Sequence, residues 1–118
     1  MLKLNHKKLN VWTLSLSLIK DLYKMTENFP KSEIFGITNQ IRRAAVSIAS
    51  NIAEGASRKS MSERKRFYEI SRSSLVEIDT QIEICLELNF VNENNLAGID
   101  DRINHLFAMM SNLIIKSH

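Results

Sequence analysis

The side chains that most often do chemistry in proteins are few in this sequence and lie far apart. The histidines are His6, His105 and His118, and none of them belongs to a His-x-x-x-His or Glu-x-x-His pair. A metal site in a helical bundle needs such pairs, because residues three or four apart share one helix face. The serines form no Gly-x-Ser-x-Gly elbow, and no glycine-rich phosphate loop is present. We therefore predict that the protein is not an enzyme and holds no metal or cofactor.

The one thiol is expected to be structural rather than reactive. Cys85 lies on the apolar stripe of a predicted helix, and no basic residue within one turn would lower its pKa. A single cysteine also excludes a disulfide framework and is typical of a reducing cytosol. No apolar run is long enough for a membrane span, and the first residues lack the apolar core of a signal peptide. We therefore expect a cytoplasmic protein with no membrane partner.

Asn51 and Glu54 form a polar group just before Gly55 in the second predicted helix. We expect Glu54 to pair with Arg58 or Arg66, and Asn51 to bond a backbone or side-chain partner at a subunit seam. The reason is that buried polar residues often fix register. A ligand site is the alternative interpretation.

Arg42 and Arg43 lie in the first half of the same helix. If the chain folds back on itself near Arg58, both arginines come level with Glu77 and Asp79. We expect ion pairs within or between subunits there, and a phosphate site is the alternative because arginine suits both partners.

Long amphipathic helices must position these residues, because three glycines and one proline leave few turns for a β-rich fold. Apolar residues recur at helical spacing over about 11–28, 36 or 38–54, 60–89 and 95–116. Ser60 begins a Ser-x-x-Glu capping box, and Gly55 is expected to close the second helix as its C′ residue. The 118 residues therefore predict one domain, 1–118, an all-α antiparallel up-down-up-down four-helix bundle.

One apolar stripe per helix is expected to form the core. The predicted core includes Val11, Leu18 and Leu22 in the first helix, Ile41, Ile48 and Ile52 in the second, Phe67, Ile70, Ile78 and Cys85 in the third, and Ile99, Ile103 and Leu106 in the fourth. The second helix also carries Ala44, Ala45 and Ala53, whose small side chains allow close helix contacts. We therefore expect this helix to be the packing centre.

A second apolar stripe on the first helix predicts burial on two sides. It consists of Trp12, Leu16, Ile19 and Tyr23. A monomeric four-helix bundle needs one apolar stripe per helix, so the second stripe is available to neighbouring copies. We predict a homo-oligomer that uses these four residues as its interface.

The net charge of +3 hides a strongly uneven distribution of charge along the predicted bundle. One end collects Lys3, Lys7, Lys8, Arg58, Lys59, Arg64, Lys65, Arg66 and Lys116, and the other collects Glu27, Glu33, Glu83, Glu87, Glu93, Asp100 and Asp101. A basic end is an electrostatic footprint for RNA or DNA, with Arg58, Lys59, Arg64, Lys65 and Arg66 as the candidate contacts. The alternative is a solvated rim that keeps the protein soluble.

Several of these segments together resemble a known family. They are LNVW at 9–12, Tyr23, NFPKSEIFGITNQIRRAAVSI at 28–48, SNIAEG at 50–55, and the stretch 67–77. The chain is similar, over about 9–113, to the four-helix-bundle proteins encoded in intervening sequences of bacterial 23S rRNA genes. Ala49 stands where that family usually has proline, and Ser73 stands where it often has glycine.

The resemblance implies bundles that assemble into rings of five and whose biochemical function is not established. It also implies a distant relationship to the accessory variability proteins of diversity-generating retroelements, which are basic pentameric barrels that bind a reverse transcriptase and nucleic acid. The leading hypothesis is therefore a non-enzymatic, ring-forming interaction module. The alternative is an accessory RNA- or DNA-binding protein that works through its basic end.

Overall fold

Four α-helices make up most of the computed structural model, which describes residues 1–117 and contains no β-strand among them. The helices are α1 Asn10–Thr26, α2 Ile37–Ser57, α3 Met61–Glu87 and α4 Ala97–Ile115. Short 3₁₀ helices at Asn5–Lys8, Lys31–Glu33 and Glu93–Asn95 precede α1 and lie in two of the connections. This architecture confirms the predicted all-α fold with four helices, and it is consistent with a four-helix bundle.

The core lies where the apolar stripes of the helices face one another, with α1 packed on α2 and α4, and α3 packed on the same two helices. Its completely buried large side chains are Leu18, Leu22, Ile41, Ile48, Ile52, Leu75, Ile78, Leu106 and Met110. Burying an aliphatic side chain of this size contributes about 1.5–3 kcal/mol. The predicted core stripes of α1, α2 and α4 are confirmed at their central positions.

The predicted inward face of α3 is wrong in its first half. Phe67 is half-buried and Ile70 is 40% exposed, whereas Tyr68 and Ser71 are buried. The Ser71 hydroxyl donates a 2.9 Å hydrogen bond to the carbonyl oxygen of Ile48 on α2. This bond satisfies a polar side chain inside the core, so a small serine can take the place that the hydrophobic pattern assigned to isoleucine.

Gly55 does not close α2, contrary to the expectation, because the helix continues to Ser57. A Cβ atom at Gly55 would lie 2.6 Å from Cε1 of Tyr68 and 3.2 Å from the carbonyl oxygen of Arg64. The glycine therefore lets α3 approach α2 closely, and the ring of Tyr68 fills the space. Burial raises the pKa of the Tyr68 hydroxyl, with Arg64 acting weakly in the opposite direction.

Local hydrogen bonds fix both ends of α3. The Ser60 hydroxyl accepts from the backbone N–H of Glu63 at 3.1 Å, which confirms the predicted N-cap. At the other end Asn89 adopts the left-handed conformation with φ of 59°, and Phe90 N–H donates to the Cys85 carbonyl at 2.9 Å. This is a Schellman closure, in which asparagine takes the usual place of glycine. Phe90 then packs on the ring of Phe29.

Candidate functional site

The basic turn, residues 58–66 between α2 and α3, carries the cations expected to meet nucleic acid: Arg58, Lys59, Arg64, Lys65 and Arg66. Arg58 and Arg64 are held by contacts with residues close to them in the sequence. Arg58 forms a 2.9 Å ion pair with Glu54, as predicted, and its guanidinium stacks over the ring of Phe67 at 4.9 Å. Arg64 Nε donates to the Arg58 carbonyl oxygen at 2.6 Å. Lys59 and Arg66 are exposed, and Lys65 is half-buried.

A shallow hollow of about 400 Å³ lies on α3 beside the basic turn. It is lined by Ser62, Lys65, Arg66, Glu69, Ile70 and Ser73. Its cations and hydroxyls can donate hydrogen bonds to an anion, whereas the carboxylate of Glu69 opposes one. The hollow is thus a mixed polar surface on which Arg66 is the exposed arginine.

Asn51 belongs to a polar ladder between α2 and α3 rather than to an open site. Its Nδ2 donates to the carbonyl oxygen of Ser47 at 2.8 Å and to the Ser47 hydroxyl at 2.9 Å. The Ser47 hydroxyl also lies 3.0 Å from that of Ser74. The amide nitrogen of Asn51 is thus bonded inside its own subunit, to a serine that in turn contacts α3.

Arg42 contacts α1, whereas the sequence placed it beside Glu77 and Asp79 of the third helix. Its Nε donates to the hydroxyl of Thr26 at 2.9 Å, and its Nη2 lies 3.4 Å from the carbonyl oxygen of Tyr23. The guanidinium also stacks over the Tyr23 ring at 4.6 Å. Arg42 therefore binds the end of α1, where helix carbonyls attract a cation. Arg43 is exposed, and its ion pairing stays a prediction.

The predicted interface stripe on α1 is divided by the fold. Trp12 and Ile19 are half-buried and pack against the core, and the Trp12 ring meets the buried His6 edge-on at 5.0 Å. Leu16 and Tyr23 are 41% and 38% exposed. The two outer positions are thus available for a neighbour, whereas the two inner ones already stabilise the monomer.

Two grooves flank α4. The α1–α4 groove has a volume of about 450 Å³ and is bordered by the ion pair between Asp21 and Arg102. The other, which we call the acidic groove, lies between α3 and α4 and has a volume of about 310 Å³. Its apolar floor is formed by Ile82, Leu86, Leu96, Ile99 and Ile103, and its rim carries Asp79, Glu83, Glu93 and Asp100. The acidic groove suits a ligand that is both apolar and positively charged.

Cys85 is completely buried, and burial, with a smaller contribution from Glu33, raises the pKa of its thiol to about 11. The thiol is therefore protonated at neutral pH, which is the inert form. His105 is exposed on α4, and His118 lies outside the described residues. Among residues 1–117, no group of three or more His, Cys, Asp and Glu side chains is arranged to hold a metal ion.

No helix within residues 1–117 has both the length and the apolar character needed to cross a membrane. Ala49 and Ser73, the two departures from the family pattern, are buried within an unbroken α2 and exposed on α3, respectively.

Comparisons with known proteins agree with the helical architecture. The crystal structure of a protein of unknown function from the S23 ribosomal protein family of Bacteroides thetaiotaomicron matches with a TM-score of 0.77 at 21% identity. The match covers 88% of this chain and 97% of the other, and at this identity it shows the fold alone. No curated protein matches. The relationship to retroelement accessory proteins stays an expectation. The model of the 23S rRNA-intervening sequence protein family matches residues 7–112, and the chain therefore belongs to that family.

Proposed function

We propose that the chain is a non-enzymatic interaction module in the cytoplasm that works as a homo-oligomer, a ring of five up-down-up-down bundles. The observation that carries the proposal is the set of large apolar side chains left outside the core. It includes Leu16, Tyr23, Ile34, Phe35, Val46, Ile70, Val76, Ile84, Leu88 and Phe107. Phe35 is 92% exposed, although burial of an aromatic side chain is strongly favourable. Contact with further copies would remove these side chains from water.

The hydrogen bonds between helices support the antiparallel arrangement in this proposal. Ser71 bonds Ile48, and Ser74, further along α3, lies against Ser47, which is earlier in α2. Asp21 of α1 pairs with Arg102 of α4, and Arg42 of α2 contacts the end of α1. Short connections between consecutive helices favour this arrangement.

Sedimentation velocity of the purified protein at micromolar concentration tests the oligomer. We expect a single species much heavier than the monomer, and a monomer would contradict the proposal. Leu16→Glu should shift the protein toward smaller species, because it places a charge in an apolar contact. Ala108→Glu is the matched control, since it introduces the same side chain and the same change of charge at an exposed position of α4, outside the predicted stripe. Equal behaviour of the two variants would remove Leu16 from the interface.

The second candidate function is binding of RNA or DNA through the basic turn. The exposure of Lys59 and Arg66 favours it, together with the local contacts that hold Arg58 and Arg64 in place. Cyclic symmetry turns equivalent ends toward the same side of a ring, so five copies would multiply these cations on one face. Contacts of this kind neutralise backbone phosphates and carry little sequence information.

Fluorescence anisotropy with generic single- and double-stranded oligonucleotides tests the second candidate. The binding constant should fall steeply as salt is raised. In a plot of log K against log salt concentration, the slope for a duplex should be about −0.9 for each phosphate that the protein neutralises. The pair Lys59→Glu and Arg66→Glu should abolish binding, whereas Lys20→Glu and Lys24→Glu change the net charge equally and should leave most of it. An oligomeric wild-type protein that binds nothing at about 50 mM salt, where phosphate contacts are strong, would end this candidate.

A further inference from the structure

The acidic groove is unusual because an apolar floor and a charged rim occur together. Five aliphatic side chains form the floor, and four carboxylates surround it. From position 73 to position 101 the chain has seven acidic residues and no Lys, Arg or His. The arginines that flank this stretch are engaged elsewhere, because Arg102 pairs with Asp21 of α1 and Arg72 contacts Ser111 and Phe107 of α4. A volume of about 310 Å³ lies at the small end of ligand sites, which suits a few side chains of an extended segment rather than a whole helix.

The N-terminal arm, residues 1–4, has the complementary chemistry. Met1, Leu2 and Leu4 are 112%, 71% and 45% exposed, so their own copy offers these apolar side chains little cover. Lys3 lies between them, and Lys7 and Lys8 follow in the next turn. The arm leaves the body at a fixed point, because His6 is buried against Trp12 and Leu4 has an extended backbone.

We propose that the acidic groove binds the N-terminal arm of a second copy of this chain. Leu2 and Leu4 cover the aliphatic floor, and the exposed Lys3 and Lys8 face the carboxylates of the rim. Lys7 donates to the Leu2 carbonyl oxygen and so helps to hold the arm. Charge complementarity fixes the direction of the contact, because a basic segment is attracted to this groove and repelled by the basic turn.

The arm of the same copy cannot occupy the groove. The arm starts level with Trp12, because His6 packs on the ring of that residue. Asp21 lies nine residues further along α1, which at about 1.5 Å per residue is a distance of about 14 Å. Asp21 pairs with Arg102, which is level with the groove. Four extended residues span at most about 14 Å, so the arm could just cover the distance along the bundle axis. It would also have to cross the bundle, because it starts beside α1 and α2 and the groove lies between α3 and α4, and for that it is too short.

A contact between the arm of one copy and the groove of the next is heterologous, because the two surfaces differ. A ring with an odd number of members requires heterologous contacts, since an isologous contact joins copies only in pairs. The inference therefore rests on the proposed homo-oligomer and identifies one contact that builds it.

Disulfide trapping between two differently tagged preparations tests the contact. One preparation carries Leu2→Cys and the other carries Ala97→Cys, which is exposed and lines the groove. We expect mixed dimers to form on oxidation. The control partner is Ala108→Cys, exposed on α4 outside the groove, which should give none. The native Cys85 is buried and common to all three proteins.

The outcomes separate this inference from the proposed function. An oligomer that gives no mixed dimer with Ala97→Cys, or equal yields with Ala97→Cys and Ala108→Cys, would overturn the arm contact and leave the oligomer standing. A monomeric wild-type protein would overturn both.

Charge reversal supplies a second measurement that needs no cysteine. Glu83→Lys with Asp100→Lys should raise the concentration at which the oligomer dissociates by about tenfold or more, because like charges then face each other. Glu87→Lys with Asp101→Lys makes the same change at exposed positions of the same two helices outside the groove. That pair should change the concentration at which the oligomer dissociates by less than about twofold, because salt screens charges that lie outside the contact. Equal shifts in the two pairs would contradict the proposal.

Discussion

The two sides of this molecule are packed in different ways. Between α2 and α3, a glycine, buried alanines and hydrogen-bonded serines bring two long helices into close contact. Around α4 the side chains are larger, and grooves of about 450 and 310 Å³ remain on its two flanks. The difference shows that α2 and α3 form the most closely packed pair of helices, whereas the packing around α4 leaves open grooves. Four substitutions, each with a matched control, test this comparison.

The largest effect is expected at Ala45, which is completely buried in α2. Ala45→Leu should lower the free energy of unfolding by about 3 kcal/mol, because the added carbons overpack a core with no room. Ala108→Leu, at an exposed position of α4, should change it by less than about 0.5 kcal/mol. Urea denaturation measures both values. Similar losses at the two positions would remove the contrast between the two sides.

Gly55→Ala should cost about 2 kcal/mol, because its Cβ would press against the Tyr68 ring and the Arg64 carbonyl. Gly98→Ala tests the other side with the same chemical change. A Cβ at Gly98 meets nothing within 4 Å, so alanine should stabilise α4 by about 0.5 kcal/mol through helix propensity. Opposite shifts in melting temperature are the expected result. A stabilising Gly55→Ala would show that α2 and α3 can separate at little cost.

Ser71→Ala removes the buried hydrogen bond to the Ile48 carbonyl and should cost about 1 kcal/mol. The matched change on the α4 side is Ser111→Ala, which removes the 3.1 Å bond from Arg72 to a half-buried hydroxyl. Water can replace that partner, so we expect a loss below about 0.5 kcal/mol. Chemical denaturation of both variants measures the two losses in the free energy of unfolding. A larger loss for Ser111→Ala than for Ser71→Ala would contradict the closer packing of α2 against α3.

The smallest effect is expected at the ion pair beside the α1–α4 groove. Asp21→Asn removes a partner of Arg102, whose side chain is 41% exposed, and should cost about 0.5 kcal/mol at low salt. Glu54→Gln breaks the exposed pair with Arg58 and should cost no more than that. Both losses should shrink as salt is raised. A salt-independent loss at Asp21 would mean that the carboxylate has a structural role in the groove.

Particular residues show what could be predicted about the fold. The four helices could be predicted, because glycine and proline are few and apolar residues recur at helical spacing. The start of α3 could be predicted from Ser60, because a capping side chain bonds the backbone only a few residues away. The Glu54–Arg58 pair was predictable for the same reason, since its members are one helical turn apart. The role of Gly55 could not be predicted. A glycine near a helix end is typical of a C-cap, whereas Gly55 makes room for the ring of Tyr68, thirteen positions later on another helix.

The sequence by itself determined the four helices, the Ser60 cap of α3, the uneven distribution of charge and the family, because these depend on neighbours along the chain or on residue order. Only the tertiary structure decided the rotation of α3, the contact of Arg42 with α1, and the division of the α1 stripe into inner and outer residues. The acidic groove is also a tertiary feature, since its walls come from two helices whose facing sides depend on packing. The spacing of apolar residues along a helix defines its buried face only to within about 100° of rotation about the helix axis. Within that range, the close packing of side chains from neighbouring helices determines which residues are buried.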